Sequence, residues 1–389
     1  MKHFLEKFAI TPDEEAALPY FEAAKSRLEK EGNEIFNFEK YGIYTYMAQD
    51  LAAVRDALAL DADNALFAYF LHEVLKKRDR ALLKDVCSPR AADKDERYDT
   101  LPVFSMLAEV PAMKAEHARR GIPADVSHDT ACMFENQMQD FMDLNHHLGI
   151  RGYVFWMLSF LDLKILRVGR FNLEYTTFGN DYAVFDTEKG LLIMPTAGRF
   201  HRSGQMLGSI GCEDEEGAFD ASLTETEDAF IGYPVVNGLC KNEKITLKKS
   251  DCRRVLSKGD KAISVHIPSG GPMTEEACRT DLRRGGEIIK ECLGDFKAFY
   301  CSSWLLDPQI PGLLGKETNL TRFGNRYERA PIKSGGGGVF EYVFLTSSKT
   351  PLEELKAETS FAKTVKAHLI AGGHIYGAVG VFKTEDLYK

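Results

Sequence analysis

The feature that most constrains the fold is a change of hydrophobic period near residue 163 of a 389-residue chain. Before it, apolar residues recur at helical spacing; after it they alternate, and strands and helices then take turns. In the first part Phe67, Phe70, Leu71, Val74 and Leu75 fall at i, i+3, i+4, i+7 and i+8, one stripe of an amphipathic helix. Thr11-Pro12-Asp13-Glu14 reads as a capping box with proline at the first helical position, opening a helix that ends near Gly32. A helix over 103–120 closes with Arg119-Arg120-Gly121-Ile122-Pro123, and the next carries Phe134, Met138, Phe141 and Met142 and ends near Gly149.

Beyond residue 163, Phe171-Asn172-Leu173-Glu174-Tyr175, the run from Asp181 to Phe185 and the run from Leu191 to Met194 follow one another across short turns, which predicts an antiparallel meander. Residues 201–229 have little periodicity and read as a long loop with some helix. The rest alternates: strand 261–268, helix 274–292, strand 297–306, helix near 308–327, strand 339–346, helix 351–369, strand 375–382. Such alternation requires some parallel pairing with helices packed on the sheet. The fold class expected is α+β, a helical domain over residues 1–150 followed by a mixed-sheet α/β domain over 151–389. The chain exceeds the size at which single cores stop growing, which fits two domains.

Composition excludes several partners. Lys and Arg number 49 against 58 Asp and Glu, a net charge of -9, so nucleic acid is not an expected partner. The apolar run from Tyr153 to Leu161 is too short to span a bilayer, and the charged start lacks the apolar core of a secretory signal. A cytoplasmic chain with no membrane partner is expected. The eight cysteines include no C-x-x-C pair and read as reduced thiols. His146-His147 and Asp143 could share a helix face, but no third ligand is evident, so no metal site is expected.

The residues that could carry chemistry centre on Ile263-Ser264-Val265-His266-Ile267-Pro268-Ser269-Gly270-Gly271-Pro272-Met273-Thr274-Glu275-Glu276. Alternation puts Ile263, Val265 and Ile267 on one face and Ala262, Ser264 and His266 on the other. His266 then faces either a ligand, where it is a candidate general base, or a neighbouring carbonyl. Thr274, followed by two glutamates, is an N-cap, and a helix start after a glycine turn can bind an anion through its N–H groups, although Pro272 has none and the glutamates already offset the dipole. Arg279 and Arg283, one turn apart, could meet phosphates or lie on a solvated face. Glu174 shares the polar face of its strand with Arg170, Asn172 and Thr176 and is a candidate general base if that face lines a cleft. Cys301 is either a nucleophile paired with His266, as in a thiol hydrolase, or a buried packing residue. The run Gly335–Gly338 is simplest as a flexible connection.

Two segments, Val265 to Gly285 and Phe299 to Tyr327, together with RVGRFNLEY at 167–175 and VLSKGDKAISVHIP at 255–268, resemble a bacterial group of acyltransferase-domain proteins. That group joins a helical N-acyltransferase N-terminal domain to a C-terminal domain like the GNAT superfamily of N-acetyltransferases. The resemblance covers nearly the whole chain and implies transfer from acetyl-CoA or another acyl-CoA to an amine of a small molecule or peptide. It implies that residues 261–268, including Ile267, hold the pantetheine arm, and that Ser269, Gly270, Gly271 and Thr274 take the pyrophosphate. A splayed strand at 297–306 would complete the cleft, and the run Asn319 to Tyr327 loosely resembles the superfamily's asparagine and tyrosine after that strand, at a different spacing. The glycine turn departs from the superfamily's loop: it is shorter and carries no basic or amide residue. A non-catalytic binding protein on the same scaffold is the alternative expectation.

Overall fold

The computed structural model describes residues 1–43, 46–271 and 273–388; Pro272, on which one reading of the turn depends, lies outside the described residues. The chain forms two compact units, Met1–Arg167 and Val168–Lys389. The first extends past the expected limit at residue 150 because the helix Val154–Leu161 places Val154, Met157, Leu158, Phe160 and Leu161 in its core.

The first unit is helical. Its centre is Ala62–Lys77, buried at every position from Asn64 to Leu75, so the predicted stripe is one side of a helix covered all round. The buried His72 on it is matched at both ring nitrogens: Nε2 meets Glu109 Oε1 at 2.9 Å and Nδ1 meets Arg27 Nη1 at 2.6 Å. The helix after the expected capping box is Glu14–Glu31, and its cap is Asp13, which accepts from the Ala16 N–H at 2.8 Å; Pro12 stays outside. The expected helix over 103–120 is two, Leu101–Leu107 and Val110–Arg119. Pro111 lacks an N–H and would clash with the carbonyl of Leu107, so it can only sit in the first turn of a new helix. Ala124–Asn145 ends at His146, left-handed at φ 65°, and His147 Nε2 bonds Asp99 Oδ2 at 2.9 Å.

Two main sheets follow, all of whose strands but the first, Ile165–Val168, which straddles the unit boundary, lie in the second unit. Strands β1 (Ile165–Val168), β2 (Phe171–Thr177), β3 (Lys261–His266), β4 (Phe299–Ser303), β5 (Glu328–Pro331) and β6 (Ala378–Phe382) form one sheet in the order β1-β2-β3-β4-β6-β5. β3 and β4 run parallel, whereas β2–β3, β4–β6 and β6–β5 are antiparallel. The predicted meander is corrected here. β2 pairs with β3, while Tyr182–Thr187 and Gly190–Pro195 form a hairpin in a separate five-stranded sheet with Cys252–Ser257 on one side and the short strands Val235–Val236 and Leu239–Cys240 on the other. The two sheets share a core in which Val184 and Ile193 meet Ala262, Tyr300, Val379 and Val381.

The opposite face of the first sheet lies under the helix Glu275–Cys292, with Cys278, Leu282 and Ile289 buried at helical spacing. Gly285 and Gly286 complete the stripe. A Cβ on Gly285 would come within 2.0 Å of Leu173 Cδ1, and one on Gly286 within 2.9 Å of Phe299 Cζ. The absence of side chains there lets the helix approach the sheet closely.

Three further expectations fail. Residues 339–346 are not a strand: Gly338–Tyr342 is a short helix, and the sheet's edge strand is Glu328–Pro331 instead. A charged, proline-ended segment suits an edge that must not template further pairing, and this hides it from a search for apolar alternation. The helix near 308–327 is two short ones, Ile310–Leu314 and Asn319–Asn325. Residues 201–229 contain no helix among the described residues; Phe219–Ser222 there pairs with Ala197–Phe200.

Candidate functional site

The site begins with the register between β2 and β3. Ser264 stands opposite Glu174 and His266 opposite Asn172. Opposed residues on an antiparallel pair project from the same face, so these four share one face, and His266 and Glu174 are diagonal neighbours. His266 Nε2 lies 3.0 Å from Glu174 Oε2, with the side chains 34% and 25% exposed. An ionised carboxylate can only accept, so Nε2 carries the proton and Nδ1 is the basic nitrogen of the ring. The two residues expected as alternative bases are one hydrogen-bonded pair. Tyr300 of β4 stands in register with Ser264; burial raises its phenol above the usual range.

The pair stands where the sheet opens. β3 and β4 are matched only at Ile263↔Phe299 and Ser264↔Tyr300 among the described residues, although β3 continues to His266 and β4 to Ser303. Beyond these two pairs the strands have parted, and their facing edges present backbone polar groups to the gap on the side that carries His266.

Cys301 does not join this pair. It alternates with Tyr300 and so follows Phe299 and Ile263 onto the helix-covered face, opposite His266. It is fully buried, and burial pushes its thiol up to about 12. A thiol so placed is protonated and shielded, so the nucleophile reading is replaced by a packing role.

The turn after β3 has the expected form. Gly270 and Gly271 adopt φ 79° and 73°, a region that favours glycine, and Ser269 is exposed beside them. Thr274 caps the helix, its hydroxyl accepting from the Ala277 N–H at 3.3 Å. Ile267 is half-buried between strand and turn. Arg279 lies exposed on the helix, and Asn319 is the exposed first residue of Asn319–Asn325.

Sequence reasoning misses two arginines at this turn. Arg170 precedes β2, so it leaves the face it was expected to share with Asn172 and Glu174: its N–H donates to Asp281 Oδ2 of the helix at 2.8 Å. A Cβ on Gly271 would lie 3.6 Å from Arg170 Cδ, so the arginine stem runs along the glycine turn. Arg326 reaches the same helix start from the end of Asn319–Asn325 and pairs with Glu275. The sequence signal was RVGR, a glycine that lets a tight turn re-aim the following residue.

Among the described residues no group of three or more His, Cys, Asp or Glu side chains could hold a metal ion, and no helix is long and apolar enough to cross a membrane.

Residues 165–382 match the family described as the GNAT-like C-terminal domain. The chain belongs to this family. Residues 38–163 match the N-acyltransferase N-terminal domain, so the two matches follow the helical and GNAT-like units in order. Similar solved structures include an acyltransferase in complex with decanoyl-CoA, with a TM-score of 0.63 at 16% identity over 98% of each chain. An acyltransferase in complex with decanoyl-CoA and teicoplanin has a TM-score of 0.59 at 18% identity, over 87% of this chain and 84% of that one. At such identities the likeness is one of fold. A comparison with curated proteins found no match.

Proposed function

We propose that the chain is an acyl-CoA-dependent N-acyltransferase that acylates an amine of a small molecule or peptide. The observation that carries this reading is the His266–Glu174 pair at the opening between β3 and β4. The fold neighbours in complex with decanoyl-CoA and teicoplanin support both the donor and an amine-bearing acceptor of that class. The residues also fit the donor on their own chemistry: parted strand edges suit the amide-rich pantetheine arm, and a glycine turn flanked by arginines suits the phosphates. Acyl-CoA would supply a thioester carbonyl as the electrophile.

Glu174 fixes the His266 ring and its tautomer, and Nδ1 takes the proton of the attacking amine. The C–N bond forms as the C–S bond breaks, and the imidazolium returns its proton to the departing thiolate.

The test incubates the full chain with octanoyl- or decanoyl-CoA and a panel of amines that includes teicoplanin. Free thiol is followed with a chromogenic disulfide, and acylated amine by mass. Release of CoA matched by acylated amine is the expected result. Tight CoA binding without turnover on any amine would favour the non-catalytic reading.

A further inference from the structure

No residue from Ser269 to Met273 is basic, so any positive side-chain charge at the glycine turn has to come from outside it. The fold brings two such charges there. Arg170 comes from the segment before β2 and Arg326 from the end of Asn319–Asn325, and both converge on the first turns of Glu275–Cys292.

The Arg326 side chain is only 10% exposed; one terminal nitrogen pairs with Glu275, while Nη1 is buried with no hydrogen-bond partner among the described residues. Arg170 Nε and Nη1 are likewise buried and without a hydrogen-bond partner among the described residues, at the end of a stem that lies along Gly271. Burial raises the Cys278 thiol; the charges of Arg326 and Arg170 act to lower it, and those of Glu275 and Asp281 to raise it. A guanidinium stays charged in a protein, and leaving its donors buried and unmatched is costly unless an anion meets them. The helix spans 18 residues, and its start carries backbone N–H groups, one of them, that of Ala277, already capped by Thr274.

We propose that Arg170 and Arg326 form an anion clamp at the start of Glu275–Cys292 that takes the pyrophosphate of an acyl-CoA, supplying from two distant segments the charge that the glycine turn lacks. The clamp rests on the acyl-CoA reading. Glu275 occupies one side of Arg326 and holds it in place, which leaves Nη1 and the Arg170 fork for phosphate oxygens.

Calorimetry on the full chain with CoA, with pantetheine, which has the same arm but no phosphates, and with inorganic pyrophosphate tests the clamp. In Arg170→Gln the Kd for CoA is expected to rise roughly 10- to 100-fold, the loss of one or two charge-assisted hydrogen bonds, with pantetheine unchanged. Arg170→Lys should recover only part, because it keeps the charge and loses the fork. Pyrophosphate should compete with CoA in the wild type. Wild-type CoA affinity in a folded Arg170→Gln overturns the clamp and leaves the acyl-CoA reading standing; no CoA binding by the wild type removes both. If the variant does not fold, equal wild-type affinities for CoA and pantetheine overturn the clamp on their own.

Discussion

The imidazole of His266 and the carboxylate of Glu174 meet at 3.0 Å, Nε2 to Oε2, across two antiparallel strands and 92 residues of sequence. Of the two, only the imidazole carries a second ring nitrogen outside their shared hydrogen bond, so the proposed reaction assigns the base to His266 and the positioning to Glu174. His266→Ala should lower kcat by about 10²- to 10⁴-fold with the far-UV spectrum unchanged. Glu174→Ala should cost less, and the double variant no more than His266→Ala alone, because the carboxylate acts through the ring. Additive losses would show that Glu174 has a role of its own.

Cys301 offers the opposite outcome. Buried on the helix-covered face with its thiol pushed up to about 12, it should resist iodoacetamide in the native protein. Cys301→Ala should keep the native turnover per folded molecule. Inactivation by alkylation mapped to Cys301 by peptide mass would contradict this placement.

Gly285 tests the packing that holds the site. A Cβ there would lie 2.0 Å from Leu173 Cδ1, on the strand that carries Glu174. Gly285→Ala gains helix propensity but forces the helix off the sheet, and the net expectation is a loss of about 1–3 kcal/mol in urea unfolding. An unchanged or raised midpoint would mean that Leu173 can move aside.

His117 should make the helical unit sensitive to acid. It is fully buried, its Nδ1 2.9 Å from Ser127 Oγ, and burial pushes its pKa down to about 4. The folded state therefore keeps the ring neutral while the unfolded chain binds a proton near 6.5, so unfolding takes up a proton between these values. Stability should fall as pH drops from about 6.5 toward 4 and be insensitive to this group above that window. Urea titrations at about pH 7 and about pH 4.5 measure the loss, and a folded His117→Gln should show a smaller one.

Much of the local structure is legible in the sequence. The stripe through Phe67 and Leu75, the helix opened by Thr274 and the alternation through His266 all follow from 3.6- and 2-residue geometry acting on neighbouring residues. Failures come where local pattern is silent or shared. The apolar pair Val339-Phe340 suits a strand as well as the helix it forms, and Glu328–Pro331 is a strand only because an edge position accepts its charge and proline.

The sequence by itself determined a helical first part, a second part of strands and helices, the long helix after the glycine turn and the side of the strand from which His266 projects. Only the tertiary structure decided that Glu174 is its partner, that Cys301 is not, and that Arg170 and Arg326 stand at the turn. Each of these depends on which strands pair and in what register, or on which helix end meets which turn. Those choices are set by burying whole faces against one another, and periodicity along a single segment carries no record of them.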